Sequence, residues 1–310
     1  MEVSLHRLRL LRELERRGTV TAVAGALSYT VSAVSQQLAL LEREAGTQLF
    51  ERRGRGIALT EAGLVLAGHA ATILAAVEDA GHAMEATREG GGTTLTAGVW
   101  ASVASALLPV GLAVLGRDHP GITVRTRELA PEDTNGAVRD GSLDMAFVLD
   151  YSSYAMARVP ELTRTAIAVE SLHAVVPRGS LGAGPVALTD LAEAPWILSG
   201  PRSHFGRAIR IACREAGFEP EVRHEAGEQS TALALVGAGL GVTLASDLGL
   251  GTSDADVDVV PLADAITRTV SITHRERDSR REPLRAFVAA FGEAARGMGL
   301  DVPAPAQPLT

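Results

Sequence analysis

Three arginines, Arg52, Arg53 and Arg55, stand within four positions of one another, with Gly54 and Gly56 flanking the last. A guanidinium stays charged at any physiological pH and presents a fork of donors that fits phosphate oxygens. Glycines on both sides read as a hairpin tip. A basic tip of this kind is suited to holding a nucleic-acid backbone. Some twenty residues earlier, Thr30, Val31, Ser32, Ser35 and Gln36 form the small, outward part of a helix start. Hydroxyls and an amide can bond base edges there, and Val31 can meet a thymine methyl. Only about three to six charges can neutralise phosphate on one copy, so a single unit of this kind binds weakly.

The rest of the composition mostly excludes. All 29 basic residues are Arg and none is Lys. No lysine can reach a nucleotide phosphate, hold a pyridoxal Schiff base or serve a kinase strand. One cysteine, Cys213, excludes an internal disulfide and a cysteine-based zinc cluster, and reads as a structural thiol beside Ile211 and Ala212. The eight histidines form no His-x-His or His-x-x-x-His pair, so no metal and no cofactor is expected. No Gly-x-Ser-x-Gly elbow occurs. Gly237-Ala238-Gly239-Leu240-Gly241 follows a helix and precedes a strand, the reverse of a dinucleotide turn, and reads as a tight helix-to-strand connection. No catalytic residue is assigned.

Charge is divided unevenly. Residues 1–60 carry nine arginines against six acids, a net +3, and the remainder 20 against 31, a net −11. A polyanion is therefore met by the N-terminal part alone. The first residues, Met1 to Arg9, hold no apolar run, so no signal peptide is predicted and a reducing cytoplasm is the expected compartment. The uncharged run from Leu95 to Gly116 contains three glycines and a proline, and reads as a buried strand and helix instead of a membrane span.

These residues need elements to hold them. Leu5, Leu8, Leu11 and Leu14 predict a first helix that Ser4 can cap and Gly18 stops. A short second helix follows Thr19 or Thr21. A third runs from Thr30 or Ser32 to about Ala45, with Val34, Leu38, Leu41 and Ala45 inward. Two helices on a tight turn, then a basic hairpin, make a winged helix-turn-helix over residues 1–60. Thr60 caps a long helix over 61–90. Along it Leu66, Ala70, Ile73, Val77, Ala80 and Met84 alternate spacings of four and three, a dimerisation seam. Gly90-Gly91-Gly92 marks the boundary. Beyond it strand and helix alternate over 91–300, which predicts an α/β domain with a mainly parallel sheet. The tail 301–310 holds three prolines and is expected to be disordered.

The run Ala24 to Glu42, then Gly46-Thr47-Gln48-Leu49-Phe50-Glu51-Arg52, Arg55 and Leu59-Thr60-Glu61-Ala62-Gly63, resembles the LysR-type transcriptional regulators. The likeness is close over the first 90 residues and weaker beyond, at Gly141–Asp144 and Gly237–Leu244. Where that family usually has Gln and Pro this chain has Val31 and Ser32, and Gln36 stands where Arg is frequent. The resemblance implies a sequence-specific regulator that binds double-stranded DNA as a homodimer or homotetramer, away from any membrane. It also implies an effector domain like the periplasmic binding proteins, with lobe 1 near 91–161 and 267–300 and lobe 2 near 162–266.

In such two-lobed folds a small molecule lies at the carboxyl ends of the strands. Ser102, Asp150, Ser199, Arg202, Gln229 and Thr231 follow strands or open helices and are the candidate effector contacts. By the resemblance, Ser102, Ser199 and Thr231 sit where family members contact effector. Each hydroxyl can equally be a helix cap, and Arg202 can equally pair with a surface acid. The competing reading is a solute-binding protein or enzyme on the same α/β fold, with an N-terminal oligomerisation domain.

Overall fold

The structure is a computed structural model. It describes residues 4–27, 29–53, 56–86, 92–182, 184–251 and 254–303. The chain forms two compact units, Met1–Glu89 and Gly90–Thr310.

The first unit contains α1 (Leu5–Arg17), α2 (Val20–Leu27), α3 (Val31–Ala45), an antiparallel hairpin of β1 (Phe50–Arg53) and β2 (Gly56–Leu59), and α4 (Glu61–Ala86). Leu8, Leu11 and Leu14 of α1 meet Val34, Leu38 and Leu41 of α3 in one core. Leu10 is buried as well, while Leu5 is exposed, because α1 also packs against α4. Ser4 begins α1 without a side-chain bond, whereas Thr30 Oγ1 accepts from the Ala33 amide at 3.1 Å and caps α3. Thr60 Oγ1 caps α4 through the Gly63 amide at 3.1 Å and donates to the Gln48 carbonyl at 2.8 Å. Gly63 is required by close approach: a Cβ there would lie 2.2 Å from the Leu49 carbonyl oxygen.

The second unit follows as β3 (Thr93–Val99), a helix that ends as α5 (Leu108–Asp118), β4 (Ile122–Glu128), α6 (Pro131–Arg139), β5 (Met145–Tyr151) and β6 (Leu162–Pro177). Next are β7 (Trp196–Leu198), α7 (His204–Glu215), β8 (Val222–Glu225), α8 (Gln229–Gly237), β9 (Thr243–Ser246) and α9 (Asp247–Leu250). The chain closes with β10 (Val257–Pro261), β11 (Thr267–Arg275) and α10 (Glu282–Gly297). The helix after β3 is wound as a π-helix over Val103–Leu107. Pro109 has no N–H to return to the carbonyl of Ser105, and the wider turn accommodates that.

The expected mainly parallel sheet is corrected. The main sheet runs β10-β6-β11-β5-β3-β4, with β9 also on β6. Only β3 pairs in parallel, with β4 and β5; β11 is antiparallel to β5 and β6, and β9 and β10 are antiparallel to β6. β7 and β8 form a separate parallel pair. The long β6 serves two sets of neighbours. Its Leu162–Ser171 part pairs with β11 and its Leu172–Pro177 part with β9 and β10. Phe147, Phe287 and Phe291 fill the core beneath β5, the last two stacked at 4.2 Å. Asp301 bonds the Val169 amide of β6 at 2.6 Å, so the tail is anchored at its start; 304–310 lie outside the described residues. Among the described residues no helix is long and apolar enough to cross a membrane, and the 95–116 run is divided between β3 and the helix after it.

Candidate functional site

In the first unit, the start of α3 is left open. Thr30, Val31, Ser32, Ser35 and Gln36 are all exposed, Val31 by 46%. Their helix is anchored from behind. Arg7 of α1 forms a two-armed pair with Glu44, its Nε to Oε2 at 2.9 Å, and reaches Gln37 Oε1 at 3.2 Å. Glu42 Oε1 accepts the amides of Leu49 and Phe50 at 2.8 and 3.1 Å, so one carboxylate ties the hairpin to α3. Three other arginines of α1 pair along the helix's own surface: Arg12 with Glu15, and Arg16 and Arg17 with Glu13. The hairpin expected around Gly54 forms, with Phe50 opposite Leu59. The side chains of Arg52 and Arg53, and Arg55 as a whole, lie outside the described residues.

The expected seam on α4 divides in two. Ala70 is fully buried in the unit's own core and Leu66 packs against it, because the first turns of α4 cover α1. That corrects their place in an intermolecular seam. Ile73, Val77, Ala80 and Met84 remain exposed and keep the four-three-four spacing.

The second unit encloses a cavity of about 620 Å³. It opens at the carboxyl ends of β3, β4, β5, β7 and β8. One wall carries Trp100, Ser102 and Ser105 after β3, with Glu128 at the end of β4 and Glu132 beyond it. The other carries Ser199 and Gly200 after β7, with Glu228, Gln229 and Ser230 after β8. Ser102, Ser199 and Gln229 are therefore brought together. Asp150, Arg202 and Thr231 are not on the wall. Asp150 Oδ1 instead accepts the Met156 amide at 2.7 Å and pairs with Arg164 at 3.4 Å. Arg202 and Thr231 are exposed, because each side chain leaves its turn towards solvent.

The floor holds a buried ion pair that motif reading missed. Arg268 Nε donates to Glu170 Oε1 at 2.6 Å, and the Leu248 amide donates to Glu170 Oε2 at 2.9 Å. Arg268 Nη2 also donates to Ser102 Oγ at 3.3 Å, and Trp100 Nε1 to the same oxygen at 3.0 Å. Burial pushes the Tyr151 phenol beside Arg268 upward in pKa. Strand alternation on β6 and β11 could have marked Glu170 and Arg268 as inward positions, but not as partners.

The hydroxyl protons can be followed. Ser203 Oγ donates to the Gly200 carbonyl at 2.9 Å and caps α7 through the Gly206 amide. Its 2.6 Å contact with Ser199 Oγ therefore takes its proton from Ser199. Ser105 Oγ donates to the Ala101 carbonyl at 2.8 Å. Both Ser199 and Ser105 thus offer lone pairs to the cavity. Gln229 Nε2 is a buried donor without a partner, while its Oε1 accepts from Ser246 Oγ at 3.3 Å. Asp144, of the Gly141–Asp144 motif, lies away from the cavity. It accepts the Thr96 amide and hydroxyl at 2.7 and 2.8 Å and meets Arg281, so it ties β3 to β5 and to the start of α10. Cys213 is buried, and desolvation pushes its thiol up to about 12.

Comparison with known proteins agrees with both units. Residues 5–64 match the family described as bacterial regulatory helix-turn-helix protein, lysR family, and residues 88–296 match the LysR substrate binding domain. The transcriptional dual regulator GltC of Bacillus subtilis is 30% identical over 245 residues, 78% of this chain and 80% of GltC. Full-length CbnR solved with its target DNA superposes with a TM-score of 0.58 at 22% identity, covering 94% of this chain and all of that one. A peroxide-bound cysteine mutant of OxyR from Corynebacterium glutamicum gives 0.57 at 22% identity, over 98% of this chain and all of the other.

Proposed function

The chain belongs to the lysR family of bacterial helix-turn-helix transcriptional regulators, with a DNA-binding N-terminal unit and an effector-binding C-terminal domain, and from that premise we propose how its residues divide the work. The start of α3 enters the major groove. Val31 meets a thymine methyl, and Thr30, Ser32, Ser35 and Gln36 reach base edges or nearby phosphates. Arg52, Arg53 and Arg55 of the wing hold the backbone. The observation carrying this reading is the exposed, small-residue start of α3, braced by Arg7 and Glu42 behind it.

With few phosphate contacts per copy, two copies must be linked to bind firmly. Ile73, Val77, Ala80 and Met84 of α4 supply that link, giving a homodimer or a homotetramer. The regulator works in the cytoplasm and performs no catalysis. An effector occupies the cavity of the second unit against Ser102, Ser199 and Gln229, and changes the relation of the two walls. Cys213 takes no part in sensing, since a buried thiol titrating at about 12 holds almost no thiolate at neutral pH.

A salt titration of binding to the chain's own upstream DNA, by fluorescence anisotropy, tests the reading. Retained sequence preference with affinity falling steeply as salt rises supports it. Absence of binding at low salt favours the solute-binding or enzymatic alternative.

A further inference from the structure

The cavity's charge and its hydrogen-bonding inventory both point to one class of ligand. Among its lining residues the single base is Arg268, and that charge is already matched by Glu170 at 2.5 Å. Three carboxylates, Glu128, Glu132 and Glu228, line the same space without a matching base on the wall, and of these Glu132 already accepts the His204 amide at the start of α7. A fourth stands at its edge, where a Cβ on Gly200 would come within 2.8 Å of Glu225 Oε1. The expected carboxylate partner, Arg202, is not there. The wall hydroxyls of Ser199 and Ser105 have committed their protons within the chain and present lone pairs. Trp100 and Phe205 add aromatic surface to the lining. Acceptors, negative charge and aromatic surface together are what an ammonium or guanidinium group requires.

The carboxylates come from both sides. Glu128 ends β4 and Glu132 follows it, and Glu228 follows β8 on the facing wall. Partial burial raises the Glu228 pKa, and the Glu128 charge raises it further, so these two carboxylates repel each other across the cavity. We propose that the effector is an organic cation, a small amine or guanidine, whose positive group sits between Glu128 and Glu228 and draws the two walls together. This rests on the reading of the cavity as the effector site. The unpaired Gln229 Nε2 gives such a ligand one place for an acceptor oxygen once its amide turns into the cavity.

The full chain is titrated by calorimetry and thermal shift with putrescine, agmatine and 2-phenylethylamine, and with succinate, glutarate and phenylacetate as acids of similar size. The expected result is that at least one amine binds and raises the melting temperature while the acids do not. Affinity for that amine should fall at least tenfold in Glu128→Gln/Glu228→Gln, two exposed positions whose loss leaves the fold intact. Binding of acids only would overturn the charge assignment and leave the cavity reading standing. Amine binding unchanged in the double variant would overturn the assignment to these carboxylates. Binding by neither series would overturn the cavity reading together with the charge.

Discussion

The two units hold their functional groups in different ways. In the first, many decisive bonds are short-range: Thr30 to Ala33, Glu42 to Leu49 and Phe50, Thr60 to Gln48. Its proposed contact residues are left on the surface. In the second, the site is closed by bonds across long stretches of chain, such as Arg268 to Glu170 and Arg268 to Ser102. The difference separates a unit built to present side chains from one built to enclose a space. In the proposed reading the first draws its strength from a second copy, while the second relies on internal neutralisation.

Breaking each dependence should affect only its own unit. The largest effect is expected from Ile73→Asp with Val77→Asp. Loss of linkage should weaken operator binding about 10²–10⁴-fold in a gel-shift titration, while the α/β unit keeps its melting transition. Unchanged affinity would show that α4 does not join the copies. Next is Arg268→Met, which leaves the Glu170 carboxylate buried without its partner. The α/β unit should lose about 3–5 kcal/mol in urea unfolding. Arg268→Met with Glu170→Leu should recover most of that loss, since a matched apolar pair removes both charges. A double variant as unstable as the single one would show that the pair does more than neutralise itself.

Smaller effects sharpen the contrast further. Thr30→Ala removes the α3 cap and should cost the N-terminal unit about 1 kcal/mol, with no change in the α/β transition. The smallest effect is expected from mild peroxide on the native chain. Operator affinity should not change, because the Cys213 thiol is buried and its pKa is pushed up to about 12. A peroxide-dependent change lost in Cys213→Ser would show that the core opens to solvent.

What could be read from sequence follows the same division. The N-terminal elements were legible because each is announced locally: Gly18 and Gly46 stop helices with φ near +70°, and Thr30 and Thr60 start them. In the α/β unit, strands and helices were mostly legible one at a time, but their pairing was not. Val257–Pro261, which forms β10, sits among acids and looks like a loop by sequence alone. The antiparallel β11 overturned the parallel expectation because nothing in 267–275 states which neighbours it will take. Ser102, Ser199 and Gln229 could be placed on the cavity wall because they follow strands. Glu170 and Arg268 could not, because their meaning lies in a partner 98 positions away. Asp150 was placed in the site on position alone, and its carboxylate turned out to hold a loop.

The place of β11 in the sheet also sets a clock. It lies between β5 and β6, so the centre of the sheet is missing until its last residue, Arg275, has been synthesised. The N-terminal unit is complete in sequence by Glu89, about 190 residues earlier. At about 5–20 residues per second, a nascent chain carries a finished N-terminal unit for roughly 10 to 40 s before its sensor can close. Over the later part of that interval, once Pro177 has been added, the edges of β5 and β6 await a strand that has not yet left the ribosome. A truncation between Gly90 and Thr267 leaves the first unit whole and the second without its central strand.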